Sequence, residues 1–407
     1  MPPLPNDQIA TATALDVFAA RSRIAHLGAP WVSKKERTRV LALRRGTHRV
    51  QYVTSLSVPL SVLDLSPIAD GSTARDALRN SLDLIGHVER LGYNRYWVAE
   101  HHSMSSVACT SPPVLIAHLA SVSSTIRVGS GGVMLPNHSS LVVAEQFGML
   151  EALHPGRIDL GIGRAPGTDQ LTASALRRSA PDRDDFPEQL TELFGYFDGT
   201  LPPTHRYHRV RAASALGYRP RIWMLGSSDY GAHAAGVLGL PYSFAHHFAS
   251  DNTMSALAAY HSSFRPSEEQ PMPYTMLGVN VVCAPTDDEA QWLAGSGRLS
   301  VLRLRMGRPG PFPSPEEAAA YSYSSLEREQ ITAWTRAHVI GSPSTVVAKL
   351  QALVDRTRTD ELMVTTMTHS HAHRVRSFEL LAEATGLTLR DSGGSERLGP
   401  ELQRTPV

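Results

Sequence analysis

The chain runs to 407 residues, room for one large α/β domain or two smaller ones, and its 39 lysines and arginines against 38 aspartates and glutamates give a formal net charge of +1. That balance provides no electrostatic basis for a nucleic-acid partner or an anionic membrane surface, and no apolar run approaches the roughly 20 residues that span a bilayer. Two cysteines, Cys109 and Cys283, are too few for a disulfide framework, so a reducing cytoplasm is the expected compartment.

The first fifty residues are basic, with Arg21, Arg23, Lys34, Lys35, Arg37 and further arginines against Asp7, Asp16 and Glu36. They lack an apolar segment followed by a cleavage site, which excludes a convincing signal peptide. Residues 1–52 are expected to be a disordered extension, or the product of a translation start placed ahead of a real one near Val50 or Val53.

From residue 57 apolar strands and helical patterns alternate. "VPLSVLDL" (58–65) is the first strand, and a helix follows from Ala74 to Leu91, with Leu78, Leu82, Ile85 and Val88 at three- and four-residue spacing and Gly92 closing it. "YWVA" (96–99) precedes a helix from Pro112 to Ser123, and "IRVGSGGVML" (126–135) one from Leu141 to Leu153. "RIDLGIG" (157–163) is the fourth strand. "IWML" (222–225), "YSFA" (242–245), "TMLGVNVVCA" (275–284) and "ELMVTT" (361–366) then precede helices at 230–238, 252–262, from Asp287, and at 373–385.

Short apolar strands without in–out alternation suit a parallel sheet covered on both faces. Eight such units predict a (β/α)8 TIM barrel over residues 53–388, with a doubly wound open sheet as the runner-up. Two segments break the alternation and are expected as insertions: 164–220 after strand 4, with one helix at 187–197, and 306–325 after strand 7, carrying "GRPGPFPSP". Residues 389–407 are expected to be a flexible tail.

In such a barrel the chemistry gathers at the carboxy-terminal strand ends. Those ends supply Asp64 and Ser66, then Glu100, His101 and His102, then Gly131 and Gly132, then Gly161, Gly163 and Arg164, then Gly226, Ser227 and Ser228, and finally His246 and His247. Arg164 offers a bidentate fork suited to phosphate. Gly226-Ser227-Ser228 stands between a strand and a helix, where free N–H groups and a serine cap make an anion site. Each motif is also what an ordinary loop looks like; together they suggest a cofactor bearing a phosphate. Gly131-Gly132 in mid-strand marks close ligand approach or a barrel corner. His369, His371 and His373 open a competing reading as a metal-dependent hydrolase, but no carboxylate accompanies them, and no metal is expected.

"RYWVAEHH" (95–102), "VGSGGVMLPNH" (128–138), "AEQFGMLEALHPGRIDLGIGRAPGTD" (144–169) and "LGSSDYGAHAAGVLGLPYSFAHHF" (225–248) resemble the bacterial luciferase-like flavin monooxygenases, in their single-chain, non-luminescent branch. The likeness covers roughly residues 58 to 385. It implies a barrel holding reduced FMN, supplied by a separate flavin reductase, and using O2 to oxidise a small organic substrate. By the same likeness Arg164 contacts the flavin phosphate, with Gly163 before it and Gly226, Ser227 and Ser228 completing that site. Gly131-Gly132 corresponds to a non-proline cis peptide beneath the flavin ring. His101 corresponds to a histidine that moves protons near the flavin, with Glu100 and His102 beside it. The luciferases carry a cysteine where Gly163 stands, so light emission does not carry over. A deazaflavin passing hydride without oxygen is the alternative cofactor, and a homodimer is the family's tendency.

Overall fold

Among the described residues the backbone lays down nine parallel strands: β1 (Leu60–Asp64), β2 (Arg95–Val98), β3 (Arg127–Met134), β4 (Ile158–Gly163), β5 (Arg221–Gly226), β6 (Tyr242–Phe244), β7 (Thr275–Cys283), β8 (Val339–Gly341) and β9 (Glu361–Thr365). This computed structural model describes residues 56–165, 167–176 and 185–387. The expected extension (1–52) and tail (389–407) lie outside the described residues. The hydrogen-bonded order β6-β5-β4-β3-β2-β1-β9-β7 closes on itself through a β6–β7 pairing, so the sheet is a barrel and the open doubly wound alternative is set aside. The short β8 pairs with the outer end of β7, Val281 to Val339 and Cys283 to Gly341, beyond the eight-strand ring.

Helices occupy the connections, and their starts follow local chemistry. Thr73 and Asp76 form a reciprocal capping box at the helix Ala74–Arg90, whose buried face is Ala77, Ser81, Leu84, Ile85 and Val88. Among the described residues the first insertion holds two helices, Gln170–Ala175 and Phe186–Asp198, between β4 and β5. The second is larger than the sequence suggests. After the helix Asp287–Arg305 it contains Pro315–Ala320 and Ser325–Thr335, then β8 and the helix Pro343–Thr357. The serines and prolines that read as breakers there are helix starts: Ser314 accepts the Glu317 N–H ahead of Pro315, and Ser324 forms a capping box with Glu327.

Inward side chains stack in layers along the barrel axis, because alternate strand residues face the same side. At the amino-terminal end the layer is charged. Arg95 joins Asp159 (2.8 Å) and Glu361 (3.1 Å), and all three side chains are buried. Above it Leu63, Trp97, Trp223, Met276 and Met363 form one apolar cluster with Ala99, and the Trp97 and Trp223 rings meet edge to face at 5.2 Å. One step further along the strands the positions are mostly small: Ala99, Gly131, Gly163 and Gly278, with Leu65, Leu225 and Thr365. The barrel is thus plugged at one end and lined mostly by small residues at the other.

Candidate active site at the barrel mouth

Glu100, His101 and His102 leave the end of β2, a strand buried along its whole length. The His101 N–H donates to the Cys109 carbonyl (3.1 Å) and the Glu100 N–H to the Gly132 carbonyl (3.4 Å), which fixes the segment against β3. Glu100 is fully buried and stands at the centre of the cluster. It accepts from the Met134 N–H (3.0 Å), Asn137 Nδ2 (3.1 Å), His138 Nε2 (3.0 Å) and His102 Nε2 (2.9 Å). An ionised carboxylate can only accept, so both rings turn a protonated Nε2 toward it, and their tautomers follow. Burial alone would raise the Glu100 pKa, but the hydrogen bond and charge of His138 and the Met134 N–H outweigh it and hold the carboxyl below its ordinary value.

His101 differs from its neighbours. Its Nδ1 is buried without a hydrogen-bond partner. Burial pulls its pKa down against the opposing pull of Glu100, so the ring is neutral near pH 7 and keeps a lone pair and a proton to offer. His138 and Asn137 are site residues that sequence reasoning misses. The signal lies in "LPNH", just past the glycine pair, and their shared bond to Glu100 spans 37 and 38 residues.

The Gly131–Gly132 peptide is cis, and the β3–β4 register shifts between Ser130 and Val133. A Cβ on Gly131 would stand 2.8 Å from Leu63 Cδ1 and 3.0 Å from Trp97 Cε3, and one on Gly132 would stand 2.9 Å from the Gly161 carbonyl oxygen. Only glycine lets the main chain lie directly on the apolar layer. Gly163 is buried and has a packing reason of its own, since Met134 Sδ takes up the space a Cβ would need (3.0 Å).

The two elements expected from the sequence to bind an anion lie side by side. Arg164 places its guanidinium 4.5 Å from the centre of the Tyr230 ring, and Tyr230 is the second residue of the helix Asp229–Val237. Ser228 occupies the N-cap position, but its hydroxyl makes no capping bond, so the serine cap expected from the sequence is absent. The helix start is left to its backbone N–H groups, the donors an anion uses. Gly226 passes its carbonyl to the Ala245 N–H (2.9 Å), tying this loop to the end of β6. Together the mouth offers a bare floor of small residues, a neutral imidazole beside a buried carboxylate, and an arginine beside a helix N-terminus. Such a geometry would suit a flat ligand with an anionic arm.

His246 and His247 form the helix His246–Ala249 above β6, and His247 Nδ1 lies 2.7 Å from where a Cβ on Gly278 would be. The histidine triplet does not assemble. His369 Nε2 faces the Asp70 carbonyl oxygen (3.2 Å), His371 Nε2 pairs with Asp83 (2.8 Å) and His373 is exposed, so the metal-hydrolase alternative loses its ligand set. Among the described residues the converging group of potential ligands is Glu188, Glu192 and His205 on the first insertion. There His205 Nδ1 accepts the Tyr207 N–H (3.3 Å), which turns a protonated Nε2 toward Glu192 at 3.7 Å, beyond hydrogen-bond distance, so the ring presents no lone pair to a metal.

No helix among the described residues is long and apolar enough to cross a membrane. The chain is 49% identical over 324 residues to the Bacillus subtilis (strain 168) protein YvbT, spanning 80% of this chain and 96% of that one. It is 43% identical to a luciferase-like monooxygenase of Escherichia coli (strain K12), across 81% and 97% of the two chains. The crystal structure of apo-MsnO8 superposes with a TM-score of 0.76 at 40% identity, covering 82% of this chain and 99% of that one. Two distant structures share the fold: the oxygenating constituent of 3,6-diketocamphane monooxygenase in complex with FMN (TM-score 0.58, 17% identity, 81% and 98% covered), and an F420-dependent secondary alcohol dehydrogenase (TM-score 0.60, 12% identity, 81% and 99% covered). The family model for luciferase-like monooxygenases matches residues 58–360. The chain is an enzyme that belongs to the luciferase-like monooxygenase family.

Proposed function

We propose that this enzyme uses reduced FMN, delivered by a separate flavin reductase, and O2 to oxidise a small organic substrate in the cytoplasm. The observation that carries the reading is the pairing of Arg164 with the start of the helix Asp229–Val237, next to a floor of Gly131, Gly132 and Ala99. That combination suits a planar ring with a phosphate arm. Arg164, Gly226, Ser227 and Ser228 would hold the phosphate, and Gly131-Gly132 with Gly163 would line the ring. Bound reduced flavin supplies the electrons that activate oxygen.

The chain's own contribution is positioning and proton handling. Glu100, kept ionised, locks His102 and His138 in single tautomers and so fixes the rim. His101, neutral and with Nδ1 unpaired, is the residue that gives or takes a proton at the reacting edge. The first insertion reaches over this rim: Thr168 Oγ1 donates to the His102 carbonyl (3.0 Å), and Gln189 Nε2 donates to the His138 carbonyl (3.3 Å). It acts as a cover that limits water at the site. A homodimer belongs to the same reading. The neighbouring helices Pro112–Val122 and Ser140–Leu153 leave Val114 (60%), Val122 (57%), Met149 (54%) and Leu153 (69%) exposed, and a second copy would cover them.

The test is anaerobic titration with reduced FMN and, separately, reduced deazaflavin, followed by rapid mixing with oxygen. The expected result is saturable binding of reduced FMN and reoxidation kinetics distinct from those of free reduced FMN, both lost in Arg164→Ala. Reoxidation at the free rate, with tight binding of the reduced deazaflavin instead, overturns the FMN assignment in favour of hydride transfer.

A further inference from the structure

The second insertion borders an open cleft that the flavin reading leaves unused. It lies between the helices Asp287–Arg305, Pro315–Ala320 and Ser325–Thr335 and the edge strand β8, with a volume of about 600 Å³. That is the size of a small-molecule site. Its wall includes Arg298, Arg328, Arg336 and Lys349, and no aspartate or glutamate.

Three of these cations have company nearby. Arg336 is ion-paired with Asp251. Lys349 Nζ donates to the Ile340 carbonyl (3.0 Å) and acts on Asp287. Arg328 donates to the Tyr323 carbonyl (2.7 Å) and acts on Glu327. Arg298 is the exception. Its guanidinium donates to the carbonyl and the side-chain oxygen of Gln291, both uncharged, and no carboxylate lies within bonding distance among the described residues. Burial pulls its pKa down, the mark of a charge withdrawn from water without an opposite charge in return. His338, also on the wall, is held at about 4 by burial and then by Arg298, so it contributes hydrogen bonding without charge. A half-buried guanidinium without a counter-charge is costly unless a ligand supplies one. The remaining wall is not that of a site for a bare inorganic ion: Trp292, Tyr323 and Ile331 give it aromatic and apolar surface.

We propose that this cleft binds a small organic anion, a carboxylate or phosphate ester on a flat apolar body, with Arg298 anchoring the charge and Trp292 and Tyr323 flanking the body. The inference is independent of the flavin assignment, since Arg164 and the barrel mouth take no part in it. His338 on the wall neighbours His247, so the cleft lies beside the mouth.

The experiment is isothermal titration calorimetry of the full chain with 2-naphthoate, 2-naphthyl phosphate, uncharged 2-naphthalenemethanol and inorganic phosphate. One-to-one binding is expected for at least one of the two aromatic anions, and the tighter of them identifies the head group. Binding at least tenfold weaker is expected for the uncharged alcohol, for phosphate alone and for Arg298→Gln. Arg298→Lys should retain part of the affinity, and Arg164→Ala all of it. Trp292 is 46% exposed, so Trp292→Ala gives a folding-neutral second variant with a severalfold loss expected. Absence of binding by either aromatic anion overturns the proposal. So does affinity unchanged in folded Arg298→Gln and Trp292→Ala, or affinity lost in Arg164→Ala instead.

Discussion

The two ends of the barrel are built from the same strands and treat polar groups in opposite ways. At the amino-terminal end Asp159 accepts from Arg95 (2.8 Å), Arg127 (2.7 Å) and Trp97 Nε1 (3.0 Å). Beside it Glu361 accepts from Arg95 (3.1 Å), Asn94 (3.0 Å), Tyr274 (2.8 Å) and Ser61. Both acids saturate their oxygens, so the network is closed and has nothing to offer a ligand. At the mouth Glu100 is equally saturated, but it serves as a post for rings that face outward. His101 Nδ1 and Thr365 Oγ1 there are buried without partners. One end spends its polar groups on itself and the other keeps some in reserve, which is how a scaffold and a site differ on one sheet.

The largest effect should come from opening the closed end. Arg95→Met leaves Asp159 and Glu361 as buried charges short of a cation, and breaking such a pair costs about 3–5 kcal/mol. Urea unfolding should show that loss, while flavin affinity per folded molecule stays the same. A loss of flavin affinity with stability intact would erase the distinction between the ends.

Glu100→Gln is the matching change at the mouth. The amide would turn a donor toward groups that already donate, the Met134 N–H and the rings of His102 and His138. Oxidation rate should fall by about a hundredfold, the scale of a misplaced proton-transfer group. The kcat should drop more than the flavin affinity, because Arg164 and the helix Asp229–Val237 remain. Equal losses in both would make Glu100 a packing residue.

Much of this contrast is legible in the amino-acid sequence, and the part that is not has physical reasons. The barrel strands announce themselves as unbroken apolar runs. Glu100-His101-His102 stands out because three polar residues end one of them. Arg95, Asp159 and Glu361 are hidden because each sits near the start of a strand, where a charge looks like a surface cap. Their pairing spans 64 and 266 residues. His138 is hidden because its bond to Glu100 depends on the irregular register of β3, which no periodicity encodes. The size of the second insertion is underestimated because serine and proline both stop and start helices, and at Ser314 and Ser324 they start them.

A smaller effect follows from the contact between His247 and Gly278. A Cβ there would approach His247 Nδ1 to 2.7 Å and Cε1 to 3.0 Å, so Gly278→Ala must displace the ring or bend β7. Overpacking of this kind costs about 1–3 kcal/mol. The expected signature is a modest drop in melting temperature with a change in substrate KM, while the Arg95 network is untouched. If melting falls and kinetics do not move, His247 belongs to the scaffold.

The smallest effect per residue is set by pH and separates the ends without mutation. Burial holds His246, His247 and His338 at about 4 in the folded protein, helped by Arg356 at His246 and by Arg298 at His338 and opposed by the Gly278 backbone at His247. In the unfolded chain an imidazole titrates near 6.5. Between those values the unfolded state binds protons that the folded state refuses, so stability is full above about pH 6.5 and declines as pH falls toward 4, on the order of 1 kcal/mol for each ring. Asp159 works over a different window. Burial alone would raise its pKa, but Arg95 and Arg127 hold it below the usual carboxylate range. Its contribution is therefore fully present above about pH 4 and is lost only as pH drops through that depressed value. A decline in the urea midpoint between about pH 6.5 and 4.5 then belongs to the histidines beside the mouth, and His338→Gln should flatten it. A midpoint constant over that range, or a slope the variant leaves unchanged, would mean that these rings meet water more freely than their burial implies.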